Sequence, residues 1–269
     1  MAAKKTLLKN NYQFLLLGFF VALAVYTYFQ DRDKEGPGRF FDGYQGTLVV
    51  LDLQSGEYQR FKPAQAAKRL SPCSTFKVPN ALIGLETGVV SGPDHLLTWD
   101  GQQRPLAAWN QNHTLHTAME NSVVWYYQEL AAAVGPERMA EYLKAFAYGN
   151  QDVSGGISRF WLGNSLQISA DEQVEFLRKL YADALPARPE NQALVRGMLV
   201  LPKTGQAQLS GKTGTNVVNG KATLGWFVGH VAKDGKAHVF ACNIEAADQA
   251  TGAKARLIVE KALRAKGLL

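Results

Sequence analysis

A serine and a lysine stand three positions apart at the start of an apolar helical segment, Ser74 and Lys77 in the stretch SPCSTFKVPNALIG. Residues i and i+3 are neighbours on one face of a helix, so this spacing predicts that the hydroxyl and the amine lie side by side. A serine hydroxyl is a weak nucleophile without a base. A lysine in apolar surroundings has a lowered pKa and is able to act as a neutral base. The pair is therefore a candidate nucleophile with its activating group.

Two further polar motifs follow downstream. Ser122 begins the sequence SVV at a predicted helix start, and residues 212–214 form a Lys-Thr-Gly on a predicted strand. Ser-x-x-Lys, a later serine motif and Lys-Thr-Gly form the signature of penicillin-interacting serine enzymes. Each motif alone occurs by chance in many chains, whereas the combination in this order is specific.

Strands near both ends of the chain, with helices between them, must position these motifs. The stretch 46–61 predicts a β-hairpin with a Ser-Gly turn. Helical patterns follow, and the last of them covers about 252–265. The prediction is a mixed α/β (α+β) fold in which an antiparallel sheet is flanked by terminal helices, beside an all-helical lobe, with the active site at the junction. The remaining strands of the sheet are predicted at 207–215, 222–231 and 237–245.

The chain divides into a leader, a linker and one catalytic domain. The linker is charged and contains Gly-Pro-Gly, which is typical of a connecting segment. The catalytic domain is long enough for one large domain or two closely packed lobes. The predicted bounds are 1–30 for the leader, 31–39 for the linker and 40–269 for the domain, with a sheet lobe at about 40–73 and 206–269 and a helical lobe at about 74–205.

The N-terminal leader predicts export. Lys4, Lys5 and Lys9 precede the apolar run FLLLGFFVALAVYTYF at 14–29, and a positive region before a short apolar one is typical of a secretory signal. The run is shorter than the roughly 20 residues that span a bilayer, and a small-x-small site ends at Ala24. A cleaved signal peptide and an inner-membrane anchor both stay open. Either one gives a periplasmic location for the rest of the chain.

Charge and metal-ligand spacing exclude two classes of function. The net charge of +6 suits an anionic small substrate or a solvated surface. There is no basic run with interleaved aromatic residues, so nucleic acid is not a predicted partner. His113 and His116 form a short His-x-x-His, but no cysteine or acidic pair stands at ligand spacing, so no metal site is predicted.

The chain has two cysteines, Cys73 and Cys242. An exported protein folds where a disulfide is permitted. A bridge between them would tie the start of the Ser74 helix to the sheet. The alternative is two small buried thiols that only pack, and the sequence does not decide between the two.

Taken together, these motifs resemble those of the class D (oxacillinase-type) serine β-lactamases. The resemblance spans nearly the whole of the exported part and implies hydrolysis of β-lactam antibiotics through an acyl-enzyme, by a monomer or a homodimer. The matching stretches are STFKVPNALIGLETGVV at 74–90, SVV at 122–124, YGN at 148–150, FWLGNSLQIS at 160–169, KTGT at 212–215 and LGWFVGHV at 224–231.

The resemblance also implies the catalytic roles. Ser74 would be the nucleophile, and Lys77 would be carboxylated by CO2 to N6-carboxylysine and act as the general base. Ser122 would relay a proton to the lactam nitrogen, and Lys212 would set the electrostatics of that relay. No cofactor is implied beyond the CO2 or bicarbonate that carboxylates the lysine.

Substrate binding and a dry pocket complete the implied site. Thr213 and Arg256 would bind the substrate carboxylate. The backbone N–H groups of Ser74 and Thr215, the latter on the strand edge after Gly214, would form the oxyanion hole. An apolar pocket would keep the lysine amine neutral, and the indole N–H of one of its members would donate to the carbamate. The expected members of this pocket are Val78, Val124, Trp161 and Leu162, and Trp161 would be the indole donor.

Two departures and one alternative function stay open. Thr215 stands where many relatives carry a bulky aromatic residue, and Gly163 and Asn164 replace a common acidic-glycine pair. Both departures leave the substrate preference undetermined. The alternative function is a β-lactam sensor or a transpeptidase-like penicillin-binding domain, which is acylated at the same serine and does not turn over. A lipase-like esterase would need Gly-x-Ser-x-Gly, which is not evident.

Overall fold

The structure is a computed structural model that describes residues 36–203 and 205–269. The predicted leader at 1–30 and the first part of the linker lie outside these residues. The described part of the linker contains a 3-10 turn at Pro37–Phe40. No helix in the two described ranges is long and apolar enough to cross a membrane.

Within the described ranges, five strands form one antiparallel sheet, as predicted. The strands are β1 (Gln45–Asp52), β2 (Tyr58–Phe61), β5 (Gln208–Val218), β6 (Lys221–Lys233) and β7 (Lys236–Glu245). A separate two-stranded ladder consists of β3 (Leu96–Leu97) and β4 (His113–Thr114). The order in the large sheet is β2-β1-β7-β6-β5, so β5, which carries Lys-Thr-Gly, is an edge strand.

The described helices lie mostly between β2 and β5 along the chain. Proline begins three of them, where its missing N–H costs nothing. A capping box formed by Ser169 and Glu172 begins a fourth. Their bounds are α1 (Pro63–Ala66), α2 (Lys77–Glu86), α3 (Leu115–Glu120), α4 (Val124–Val134), α5 (Pro136–Phe146), α6 (Ala170–Tyr181), α7 (Pro189–Met198) and α8 (Gly252–Ala265), with 3-10 turns at Cys73–Phe76 and Ala107–Trp109.

The sheet is covered on both faces. The C-terminal helix α8 packs against β6, β5 and β7, as predicted for a terminal helix. The other face packs against α6 and α1, and its side chains join the large core that the helical segment forms. The N-terminal flank that the sequence predicted would lie in residues outside the described ranges.

Of the two alternatives left open for Cys73 and Cys242, the possible disulfide is wrong and the packed thiols are observed, because both cysteines are free and buried. Side chains alternate between the two faces of a strand. Ala241 belongs to the core that also contains Cys73, so its neighbour Cys242 points to the α8 face, and the sheet separates the two sulfurs. Burial raises the pKa of the Cys73 thiol to about 12, which is typical of an inert packed cysteine.

Helix α8 approaches β6 closely because Gly225 has no side chain. A Cβ at Gly225 would collide with the carbonyl group of Thr251, the residue that caps α8. The close approach fixes the N-terminal end of α8, and with it the first turns of the helix that carries Arg256.

Gly225→Ala should therefore lower the free energy of unfolding by about 2–3 kcal/mol, since a methyl group inserted against backbone forces the helix away. Gly197→Ala is the control, because a Cβ at Gly197 in α7 meets no atom within 4 Å. That change should stabilise the protein by about 0.5–1 kcal/mol. Urea denaturation of both variants measures the difference, and equal stability of Gly225→Ala and wild type would contradict this packing.

Candidate active site

The predicted nucleophile lies in a tight turn. Ser74 belongs to the 3-10 turn Cys73–Phe76, which continues directly into α2 at Lys77. Thr75 fixes the turn, because its N–H and its Oγ1 both donate to the carbonyl of Pro72, at 3.1 and 2.7 Å. Cys73 has a φ of +50°, an uncommon value for a residue with a side chain. The turn therefore presents a half-buried Ser74 side chain above a fully buried helix.

Lys77 stands directly beside the serine. Its Nζ lies 2.8 Å from Ser74 Oγ, and the side chain has no exposed surface. Burial, and then the nearby charge of Lys212, lowers the pKa of Lys77 well below its ordinary value. The ring of Tyr127 lies below the amine, with the centroid 5.5 Å from Nζ. The amine is therefore neutral over a wide pH range and able to act as a base or a nucleophile.

The second serine and the second lysine also meet. Ser122 sits in the turn between α3 and α4, with a φ of +54°. The Nζ of Lys212 on β5 donates to Ser122 Oγ at 3.0 Å and to the Thr213 carbonyl at 3.1 Å. Burial lowers the pKa of Lys212 to about 7. The structure thus brings all four predicted catalytic side chains together as two hydrogen-bonded pairs.

Trp161 is fully buried, and its indole N–H has no hydrogen-bond partner among the described residues. Its ring packs against Phe76 in the nucleophile turn, with centroids 5.3 Å apart. A buried donor without an acceptor costs about 1–3 kcal/mol, so such a donor indicates a site for an anionic or polar group. Of the other predicted pocket residues, Val78 is buried, and Val124 and Leu162 are half-buried.

The Lys-Thr-Gly strand passes close to the nucleophile turn. A Cβ at Gly214 would lie 3.0 Å from the Pro72 carbonyl oxygen and 3.2 Å from the backbone nitrogen of Ser74, so a side chain here would push the strand away from the turn. Lys212, Thr213 and Arg256 line a cavity of about 170 Å³. The Nε of Arg256 donates to Glu260 at 2.7 Å, which holds the guanidinium at the edge of this cavity.

The two departures from the family pattern have structural partners. The side chain of Thr215 accepts a hydrogen bond from the N–H of Gly252, the first residue of α8, at 2.9 Å. An aromatic ring at position 215 would lack the Oγ1 that accepts the hydrogen bond from the Gly252 N–H. Gly163 and Asn164 line a second cavity, of about 640 Å³, together with Asn216.

Sequence reasoning missed two residues of the site. Tyr127 stands three residues after Val124 on α4, and helical spacing from the SVV motif was the available signal. Ser71 forms hydrogen bonds to the Trp161 segment and has no distinctive motif. His113, considered above as a metal ligand, instead places both ring nitrogens within hydrogen-bond distance of Thr117 Oγ1 and the Ala108 carbonyl.

Comparisons with known proteins agree with this geometry. Residues 46–264 match the family model described as the penicillin binding protein transpeptidase domain. A Bacillus subtilis protein named "Probable beta-lactamase YbxI" is 40% identical over 229 residues, which cover 85% of this chain and 84% of that protein. The solved structure named "Class D beta-lactamase BAT-2" has a TM-score of 0.83 and 38% identity, covering 87% of this chain and 96% of that one.

A receptor domain is similar to the same extent. The structure named as the C-terminal domain of the Bacillus licheniformis BlaR penicillin-receptor has a TM-score of 0.83 and 36% identity, and the match covers 87% of this chain and 96% of that one. The fold alone therefore does not separate a hydrolase from a receptor.

The buried Lys212 makes stability depend on pH. Its pKa is about 7 in the folded chain and 10.5 for an ordinary lysine, so between these values the unfolded state binds more protons than the folded state. The contribution of Lys212 to the free energy of unfolding should therefore rise from pH 7 to pH 10, and Lys212→Met should make the pH dependence of that free energy less positive by at most about 1.4 kcal/mol per pH unit.

Urea denaturation in CO2-free buffers between these pH values tests this expectation. Lys254→Met, which removes an exposed lysine on α8, is the control and should keep the wild-type slope. A Lys212→Met slope equal to that of wild type would show that Lys212 is not held neutral by burial.

Proposed function

The chain belongs to the class D serine β-lactamases, within the transpeptidase family, and we propose that it hydrolyses penicillin-type β-lactam antibiotics through an acyl-enzyme on Ser74. The observation that carries the proposal is the 2.8 Å contact between Ser74 Oγ and the Nζ of a fully buried Lys77. A hydroxyl next to a neutral, desolvated amine has the activation that nucleophilic catalysis requires.

Carboxylated Lys77 supplies the general base in this proposal. Only an uncharged amine has the lone pair that bonds to the carbon of CO2, and one proton leaves the nitrogen as the carbamate forms. The burial of Lys77 provides that uncharged amine. The unpaired indole N–H of Trp161 supports the modification, because it is a buried donor suited to a carbamate oxygen. CO2 or bicarbonate is the only reagent required besides water and substrate.

Acylation then uses both hydrogen-bonded pairs. Ser74 Oγ bonds to the lactam carbonyl carbon as its proton moves to the Lys77 side chain. The carbon–nitrogen bond of the ring breaks, and the nitrogen takes a proton from Ser122. Lys212 replenishes Ser122 across their 3.0 Å hydrogen bond, and its pKa of about 7 suits proton transfer near neutral pH.

Deacylation returns the enzyme to its starting state. After acylation the Lys77 side chain releases its proton to solvent, and Lys212 takes one up from solvent. The Lys77 side chain then takes a proton from water, whose oxygen bonds to the ester carbon, and it passes this proton to Ser74 Oγ as the ester bond breaks. In both halves the negative carbonyl oxygen is stabilised by the backbone N–H groups of Ser74 and Thr215, which the close approach of β5 at Gly214 brings near each other.

The substrate carboxylate is assigned to Thr213 and Arg256. Both line the cavity that Lys212 also lines, and basic side chains around a cavity support the binding of a carboxylate there. Export to the periplasm, with a cleaved signal or an inner-membrane anchor, remains our proposal from the basic and apolar leader at 4–29.

A penicillin receptor is the second candidate, favoured by the similarity to the BlaR domain. A receptor and a hydrolase share acylation and differ in deacylation. The hydrolase is preferred because Lys77 is fully buried and Trp161, packed on the adjacent Phe76, is a buried unpaired donor, and a carbamate base in such surroundings would persist into the second step.

Replacing the nucleophile tests the first step. Ser74→Ala should abolish turnover of a chromogenic cephalosporin and remove the covalent penicillin adduct from the intact-mass spectrum. Ser122→Ala is the matched control, because it keeps the nucleophile and its base and should still acquire the adduct at a lower rate. Peptide mapping of an adduct to Ser122 instead of Ser74 would refute the assignment.

Bicarbonate dependence tests the base. Steady-state turnover should fall in CO2-free buffer or at low pH, where the carbamate is lost, and recover when bicarbonate is added at neutral pH. Trp161→Phe, which removes the indole N–H, should need more bicarbonate and slow deacylation more than acylation.

The control for this experiment is Trp99→Phe, whose indole N–H donates to the Gln102 carbonyl at 2.9 Å in a different loop. It should behave as wild type. A single burst of one equivalent, without later turnover at any bicarbonate concentration, would establish the receptor instead of the hydrolase. Steady turnover that ignores bicarbonate would refute the carbamate.

A further inference from the structure

Ser71 connects the segment that contains Trp161 to the nucleophile turn. Its Oγ donates to the carbonyl of Trp161 at 3.0 Å and accepts from the N–H of Gly163 at 2.8 Å. The two hydrogen bonds hold the backbone at both ends of the short segment from the Trp161 carbonyl to the Gly163 N–H. Ser71 itself stands three residues before Ser74, so one hydroxyl joins the indole segment to the start of the nucleophile turn.

Ser71 is fixed independently of that segment. Its carbonyl accepts the indole N–H of Trp226 on β6 at 2.9 Å. The preceding residue, Leu70, exchanges two backbone hydrogen bonds with Ile168, at 3.0 and 2.8 Å. The serine is therefore held by the sheet and by the far end of the same loop, and it provides a rigid point of attachment.

The other backbone hydrogen bonds of the Trp161 segment are local. Phe160 N–H donates to Gly156, and Leu162 N–H donates to Arg159, both at 2.9 Å or less. These bonds shape the loop without joining it to the nucleophile turn. The indole ring packs on Phe76, a contact that resists separation better than it resists rotation or sliding.

We propose that Ser71 is a positioning residue for the Trp161 indole, and through it for the carbamate on Lys77. The inference rests on the proposed function, because the carbamate is the acceptor that the indole N–H would bind. Ser71 touches neither the substrate nor the reacting atoms. It holds the backbone of residues 161–163 so that the indole N–H keeps its direction, which a charge-assisted hydrogen bond requires.

Removal of the Ser71 hydroxyl should leave the chain folded. Ser71 is half-buried and lines the cavity of about 640 Å³ together with Gly163, so water is able to reach the two backbone groups that lose their partner. The expected result is a looser Trp161 segment in an otherwise intact site.

Ser165 offers a matched control on the same loop. Its Oγ accepts from the N–H of Gly155 and donates to the carbonyl of Asp152, both at 2.9 Å. Ser165→Ala thus removes the same two kinds of hydrogen bond as Ser71→Ala, from a part of the loop that does not enclose Trp161. A merely structural effect on the loop would be the same in both variants.

The experiment measures the bicarbonate concentration for half-maximal turnover, together with the 13C NMR signal of the carboxylated lysine in 13C-bicarbonate. Ser71→Ala should raise that concentration about tenfold, equivalent to about 1.4 kcal/mol, while acylation in saturating bicarbonate changes less than about twofold. Ser71→Thr should restore the wild-type value, and Ser165→Ala should keep it. Ser71→Cys, which retains the volume and weakens both hydrogen bonds, provides the same test if the alanine variant does not fold.

An unchanged bicarbonate requirement in Ser71→Ala, with a normal 13C signal in wild type, would overturn the inference and leave the proposed function intact. An equal shift in Ser165→Ala would overturn it as well. If the wild-type chain gave no 13C signal, the carbamate base itself would be wrong, and the inference would fall with it.

Discussion

The desolvation of the Lys77 amine is the constraint on which the site depends. An ammonium without exposed surface is strongly disfavoured, so the folded chain holds the amine uncharged 2.8 Å from Ser74 Oγ. Burial on this scale requires an apolar helix, an aromatic ring beneath the amine and a tight turn above it. Helix α2 is buried from Lys77 to Leu85, which places the amine at the buried start of the helix.

The same burial explains why the active site lies between the sheet and the helical segment. Lys212 extends from the edge strand β5 to Ser122, which the turn between α3 and α4 holds at a positive φ. An edge strand leaves one side free for a partner, and here the nucleophile turn and the cleft occupy that side. Gly214 permits the close approach. The two lysines repel each other when both are charged, which lowers the pKa of Lys77 further.

The sequence predicted the elements and the Ser74–Lys77 pair because local patterns encode both, whereas Ser122 and Lys212, 90 residues apart, were assigned from the family resemblance. Alternation and turn residues specified the hairpin and the three later strands, and i to i+3 spacing placed Lys77 beside Ser74. The possible disulfide stayed open because the spacing of two cysteines in the sequence does not show that the Cys242 side chain leaves the sheet on the α8 face. Ser71 was not found because its role depends on a loop 90 residues further along the chain. A side chain can form a hydrogen bond with the main chain of almost any residue, so the sequence contains no signal for such a pairing.

These findings separate two kinds of residue around one reaction. Ser74 and Lys77 are specified by chemistry, because the proposed reaction needs a nucleophile beside an amine that is able to bond CO2. Thr215 and Ser71 are specified by backbone groups, since each hydroxyl meets a main-chain N–H, that of Gly252 in one case and of Gly163 in the other. The first fixes the start of the helix that carries Arg256, and the second fixes the segment that carries Trp161. In the proposed function, the charge for a substrate carboxylate and the donor for a carbamate are thus both held through a hydroxyl on a neighbouring segment, so loop and strand substitutions at such positions are expected to alter kinetics without altering the catalytic residues.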